Sequence, residues 1–394
     1  MLSPTHVVNA LERKRDRFGT YDRESGQERA HYADALCELA SMSREEVWHY
    51  LSEIERPGAR PTSERIAGNP VVRPFAARWE HHGQARAWAL EILRDRPTVA
   101  VDGSEISPSR DYSLPVGAVQ VARFINHHRA EGDYVKDLTF DVLAPDELTG
   151  EANEEGFPDQ QVKLRRYELE CSTLIHEMTR LSGHEPLPVC FFDGSLIASF
   201  AANLPERLRR RYLAATVDLL HTSQRTGVPL VGYIDTSYAK DLVTMLYYLK
   251  HPSGAPPTIS DPALLRREMA WGDRTEAWVC ARDDELATKL SPDERYYERV
   301  HLVYLKTTAT NPPARLDLPA WLLEAGLLEE VVDVVRAECI VGIGYPYAVE
   351  TADATAVITA RDRERFYGIF QQFIDRLGVE LRYSKKALSK RGRR

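Results

Sequence analysis

A short apolar run ending in Asp-Gly-Ser occurs twice in this chain, as Val99-Ala-Val-Asp102-Gly-Ser104 and as Cys190-Phe-Phe-Asp193-Gly-Ser195. Each aspartate is expected at the last residue of a buried strand, where parallel sheets carry their reactive groups. The plain alternative is a pair of Asp-Gly hairpin turns. Such turns need a partner strand directly after the glycine. The chain continues instead as Ser-Glu-Ile-Ser-Pro-Ser-Arg in one case and Ser-Leu-Ile-Ala-Ser-Phe in the other, and neither resumes a strand at once. The repeat thus calls for a sheet with two carboxylates at one edge.

The surrounding texture gives the order of elements. After Thr98–Val101 come two further strand candidates, Val116–Ile125 and Tyr134–Leu143. An acidic stretch, Asp146 to Asp159, leads into a helix from about Gln160 to Leu181. Pro188–Phe192 reads as a strand, Leu204–Thr226 as a basic amphipathic helix and Pro229–Ile234 as another strand. A three-strand meander followed by alternating helices and strands is the order of a ribonuclease H-like α/β fold, a mixed sheet with flanking helices. Residues 1–95 lack strand-like runs and read as an N-terminal helical arm suited to packing or pairing. Residues 96–380 form the α/β domain, with a helical insertion at about 251–300, and 381–394 form a basic C-terminal tail. From Arg382 to Arg394 there are seven basic residues and no acidic one.

Composition excludes several classes. With 43% hydrophobic and 28% charged residues the chain buries a real core. Lys plus Arg number 51 against 59 Asp plus Glu, a net charge of -8, which excludes a protein that coats nucleic acid by bulk positive charge. A local basic channel stays open, because groove binding depends on where charges sit. Cys37, Cys171, Cys190, Cys280 and Cys339 form no CxxC pair, so a disulfide framework or zinc ribbon is not expected and a reducing cytoplasm is. No run of about 18 apolar residues exists and the N-terminus is too charged for a signal segment, so neither membrane nor export is expected.

The chemistry expected at the sheet edge is that of a hard divalent cation, which takes carboxylate oxygens from several elements. Asp102 and Asp193 form the base of the site. The helix after the acidic stretch offers Glu168 and Glu170, which lie roughly 200° apart around its axis, so one of them faces the edge. Both flank the apolar stripe, and the spacing does not choose between them. Asp353, after the chain break at Gly344-Tyr-Pro346, is expected in or near the first turn of a helix, where an acid also compensates the helix dipole.

In this constellation the chain resembles the NurA family of nucleases over roughly Pro97 to Phe373. The resemblance rests on the two Asp-Gly-Ser strands and the Arg-plus-Glu helix. Val231-Gly-Tyr-Ile234, Trp271-Gly-Asp-Arg-Thr275, Arg315-Leu-Asp-Leu-Pro-Ala-Trp321 and Gly344-Tyr-Pro346 leading to Ala352-Asp353 match in the same order. It implies a single-strand endonuclease and 5′-to-3′ exonuclease of DNA-end resection. The implied enzyme uses two Mn2+ or Mg2+ ions, acts as a homodimer and partners a HerA-type hexameric ATPase translocase. Asp102, Asp193 and Glu168 or Glu170 match the family's carboxylates, while Asp353 falls where many relatives have His. Asp235 stands where a lysine is expected. For the DNA strand, the candidate contacts are Arg166, Arg207, Arg210 and Arg274, with Tyr345 as a base-stacking ring. The expected location is the cytoplasm, at the nucleoid.

Two other readings compete. An actin-like ATPase or sugar kinase shares a related sheet, but its phosphate loops usually separate Asp from Gly, and no adenosine-site glycines or P-loop occur. A decayed nuclease serving as a translocase-docking adaptor would have lost carboxylates that this chain retains.

Overall fold

A computed structural model describes residues 2–149, 158–250, 255–290, 294–379 and 382. Much of the acidic stretch, parts of the insertion and nearly all of the basic tail therefore lie outside the described residues.

In chain order, the first segment holds helices α1 (Pro4–Glu12), α2 (Arg15–Ala40) and α3 (Arg44–Tyr50), then short strands β1 (Gly58–Pro61) and β2 (Val72–Arg73). Next come α4 (His82–Leu93), β3 (Thr98–Ile106), β4 (Gly117–Asn126), β5 (Tyr134–Leu143) and α5 (Pro145–Thr149). They are succeeded by α6 (Pro158–Arg180), β6 (Val189–Asp193), α7 (Glu206–Thr226) and β7 (Leu230–Ile234). A third segment contains α8 (Asp241–Leu249), α9 (Asp261–Leu265), β8 (Arg274–Thr275), β9 (Trp278–Ala281), α10 (Glu285–Lys289), β10 (Val300–Leu305) and β11 (Ala314–Pro319). The chain closes with α11 (Trp321–Glu324), α12 (Leu328–Val341), α13 (Tyr347–Ala356) and α14 (Ala360–Arg376).

These elements form two compact units, and the division differs from the arm-plus-domain scheme with its boundary near residue 95. Residues up to Arg78 group with Ile234–Ala320, while Trp79–Tyr233 group with the chain from Trp321 onward. Strand pairing supplies the reason. β1 pairs antiparallel with β9 and β2 with β8, so the N-terminal segment and the expected insertion complete one sheet. Residues 1–95 are therefore not purely helical. That sheet continues from β9 through β10 to β11.

The other unit carries the ribonuclease H-like sheet, in the order β7-β6-β3-β4-β5. β3, β4 and β5 pair antiparallel, as the meander predicts. β6 and β7 join in parallel on the far side of β3. α6 crosses β3 and β4, α7 packs beside α6, and α13 packs on β3 and β4. Val99, Val101, Val119, Val121, Leu164, Leu174, Phe191 and Val231 are buried between these layers. Among the described residues, no helix is long and apolar enough to cross a membrane.

Candidate active site

The register of β3 against β6 sets the site. Parallel pairing runs from Thr98↔Val189 to Val101↔Phe192. The next position in each strand is Asp102 and Asp193, so the two carboxylates stand side by side in adjacent strands and share a face. Asp102 is not the last residue of its strand, as the sequence suggests. β3 continues to Ile106, held by β4 alone, whereas β6 stops at Asp193. Gly194 ends β6 with φ +140, a backbone conformation suited to glycine, and a 3-10 turn at Ser199–Asn203 comes next. Neither Asp-Gly pair is a hairpin turn. Asp102 is left half-buried because the β3–β6 pairing ends one residue before it.

The glycine of the first repeat has its own task. A Cβ on Gly103 would lie 2.5 Å from Glu170 Oε1 and 2.7 Å from Arg166 Cγ. Its absence lets α6 settle directly on β3, one residue beyond Asp102. Glu170 is buried there, while Glu168 turns toward α7 and takes two hydrogen bonds from Arg211, at 2.8 and 2.7 Å. The structure thus separates two residues that spacing alone left equivalent. Glu170 packs against β3 near enough for Asp102 and Asp193 to raise it, whereas Glu168 is held by Arg211 of α7.

The electrostatics agree. Burial pushes Glu170 up to about 8; Arg166 opposes the shift, and Asp102, Asp193 and Glu105 add to it. Asp102 rises to about 6, first through burial and further through Asp193 and Asp353, against the Gly103 N–H and Arg166. These carboxylates are crowded and incompletely matched by positive charge.

Tyr345, just before α13, and Tyr233 of β7 complete the wall. Tyr345 donates its hydroxyl to Asp193 Oδ1 at 3.2 Å, and its ring meets Tyr233 edge-on at 5.1 Å. Tyr233 lies opposite Asp193 in the β6–β7 ladder, so all three share one face. Asp353 lies in the second turn of α13, not the first, because the helix begins directly after Pro346. It is exposed and close enough to raise Asp102.

The expected DNA contacts divide. Arg166 is inside the cluster: Nη1 donates to Gly103 O at 3.1 Å, and Nε lies 3.3 Å from Glu105 and 3.5 Å from Glu170. Arg207 lines an open groove of about 560 Å³ together with Arg165 and Arg211. Arg210 is an exposed helix position paired with Glu206 at 2.6 Å. Arg274 is a correction. It is buried and held by both oxygens of Glu64 at 2.9 and 2.8 Å, so it braces a fold and faces no solvent. Glu105 was missed by sequence reasoning. It alternates with Asp102 along β3 and so falls on the α6 side, a placement that a strand ending at Asp102 hides.

Residues 96–358 match the family model described as NurA domain. The chain belongs to the NurA family. That span carries Asp102, Glu105, Glu170, Asp193, Tyr345 and Asp353, and the family makes this a nuclease-type hydrolase. No curated protein matches the chain. Among solved structures, the catalytic domain of human endonuclease V is 14% identical, with 79% of this chain and 93% of that one covered at a TM-score of 0.30. The C-terminal lobe of a budding yeast Argonaute is 9% identical, covering 74% and 52% at 0.29. Kluyveromyces polysporus Argonaute with a guide RNA is 10% identical, covering 67% and 27% at 0.26.

Two motifs shared with the NurA family are architectural. In Trp271-Gly-Asp-Arg-Thr275, Asp273 accepts from the Phe75 and Ala270 N–H groups at 2.9 and 2.8 Å, beside the Arg274–Glu64 pair. In Arg315-Leu-Asp317, Arg315 binds Asp317 at 2.7 Å and also Asp241. Among the described residues, no three Asp, Glu, His or Cys side chains already stand in a metal-holding group. The fit to a cation rests on donor chemistry: oxygen donors without thiolate or imidazole, crowded and short of positive charge, suit Mn2+ or Mg2+.

Proposed function

We propose that this NurA-family chain is a metal-dependent deoxyribonuclease, a single-strand endonuclease and 5′-to-3′ exonuclease acting on DNA ends during resection. The observation that carries the reading is the in-register pair Asp102 and Asp193, with Glu170 lowered onto Gly103 beside them. Asp102, Asp193 and Glu170 would hold the ions, with Asp353 at the exposed rim. Two Mn2+ or Mg2+ ions bound there supply the Lewis acidity that phosphodiester hydrolysis needs. The chain's own residues do the rest. Tyr345 fixes the rotamer of Asp193, and Tyr233 fixes Tyr345. Glu170, raised to about 8 by burial and by Asp102, Asp193 and Glu105 in the cation-free protein, would be relieved by a cation that neutralises the cluster. In the groove lined by Arg165, Arg207 and Arg211, Arg165 is paired with Asp141 and Arg211 with Glu168, and Asp146 and Glu147 share the lining. Arg207 is therefore the residue that supports a local phosphate contact in a chain whose net charge is -8.

The same reading includes a homodimer that works with a HerA-type hexameric ATPase in the cytoplasm, at the nucleoid. Pairing of two copies is supported by the edge strand β5, which exposes Tyr134, Leu138, Phe140 and Val142 on one face. The apolar side of α14 adds exposed Ile369, Phe373 and Leu377, and Phe140 contacts Phe366.

The test uses purified protein, 5′-labelled single-stranded DNA and Mn2+, beside Asp102→Ala and Asp193→Ala. Wild type is expected to give products that EDTA abolishes and both variants reduce by at least about a hundredfold. Wild type inert even with the translocase present would favour the docking adaptor instead.

A further inference from the structure

Arg166 stands where a catalytic carboxylate cluster has least use for an arginine. It lies one helical turn before Glu170, across the bare backbone of Gly103, between Glu105 and Glu170. Its attachment there is incomplete. Nη1 has Gly103 O at 3.1 Å, but the buried Nε makes no hydrogen bond among the described residues, although both carboxylates lie within ion-pair range. The side chain keeps 37% of its exposure, so part of it reaches solvent beside the site. What sets Arg166 apart from the structural arginines is its exposure. Arg274 is buried and forks onto Glu64, and Arg315 is buried between Asp317 and Asp241, although its Nη2 also makes no hydrogen bond among the described residues.

We propose that Arg166 is a resident counter-ion that yields to the divalent cation and then binds a non-bridging oxygen of the DNA phosphate at the site. In the cation-free protein its charge screens Glu170 and Asp102, and Glu105 is its resting partner. A cation on those carboxylates removes that use for it. Glu105, on the α6 side of β3, keeps the guanidinium at the rim, where a strand entering the site brings its phosphate. No covalent step is involved. The inference rests on the metal-dependent reading of the site and names a substrate-binding residue within it.

The test separates two effects of opposite sign. Mn2+ binding to the DNA-free protein is measured by the paramagnetic resonance signal of free Mn2+, and binding of a labelled single-stranded oligonucleotide by anisotropy in Ca2+. Arg166→Met keeps the stem and removes the charge. It is expected to tighten Mn2+ by about fivefold, because a competing cation a few ångströms away is gone. It is expected to weaken the oligonucleotide by about tenfold, because a charge-assisted phosphate contact is lost. Arg166→Lys keeps the charge without the fork, so it should restore wild-type Mn2+ affinity and part of the oligonucleotide affinity. Should the Met variant fail to fold, Arg166→Gln carries the same two expectations. Unchanged or weaker Mn2+ binding, or unchanged oligonucleotide binding, overturns the proposal. A wild type that takes up no Mn2+ fails the metal-dependent reading itself, and the proposal with it.

Discussion

The two units each bury a knot of charge, and the knots are built on opposite terms. In the unit formed by the N-terminal segment and Ile234–Ala320, Asp241 and Asp317 face Arg282 and Arg315. Burial works to raise Asp241, but the two arginines outweigh it and hold the carboxylate below its ordinary range. In the ribonuclease H-like unit, Asp102, Glu105 and Glu170 share Arg166 with Asp193 and Asp353 close to Asp102, and burial raises Asp102 and Glu170. Both groups come from strand ends and neighbouring helices, and both include residues of NurA-like motifs. Motif membership therefore does not separate brace from site; the balance of charge does. A matched knot needs nothing more, whereas an undermatched one is a place for a cation.

Breaking the matched knot should have the largest effect on stability. Arg315→Met leaves Asp317 and Asp241 short of a partner in a dry interior, and is expected to cost on the order of 3–5 kcal/mol in urea denaturation. A loss below about 1 kcal/mol would show that solvent reaches this knot.

A second comparison concerns whether the matched unit tolerates any titrating group without a strong partner. His301 in β10 is buried and lowered to about 4, chiefly by burial, against a weaker pull from Glu64. Its folded pKa lies below the unfolded one, so its contribution is whole above about pH 6.5. It shrinks as pH falls toward 4, by on the order of 3 kcal/mol in all. The denaturation midpoint of wild type should therefore drop more than that of His301→Phe between pH 7.5 and pH 4.5. Equal drops would mean that His301 is solvated.

The smallest effect should have the opposite sign. Glu170 is raised to about 8, so on folding near pH 7 it takes up a proton at a cost. Glu170→Gln removes that cost, and the cation-free protein in EDTA is expected to gain about 1 kcal/mol or more. Added Mn2+ should then stabilise wild type more than the variant. Destabilisation of the EDTA form would place Glu170 among the matched charges.

Much of the site was legible because strand and motif coincide. The Asp-Gly-Ser repeat located Asp102 and Asp193, and the meander followed by crossovers predicted the sheet order. Other parts were hidden for physical reasons. β1 and β2 are 4 and 2 residues long and contain Pro, Gly or Arg, so no alternation marks them, and their partners lie some two hundred residues away. Helical spacing could not choose Glu170 over Glu168, since the choice is made by Arg211 on another helix. A basic residue such as Arg274 reads as a DNA contact until Glu64 is seen beneath it.

The side-by-side register of Asp102 and Asp193 also governs how this protein tolerates change. A sheet has a two-residue period, so deleting one residue between Thr98 and Asp102, or between Val189 and Asp193, would turn an aspartate to the opposite face. Point substitutions along these strands are graded; single-residue insertions and deletions are all-or-nothing. The connections between elements carry no such frame, since loop length is cheap to alter. Length variation in this lineage should collect in the connections and stop abruptly at Thr98 and Val189.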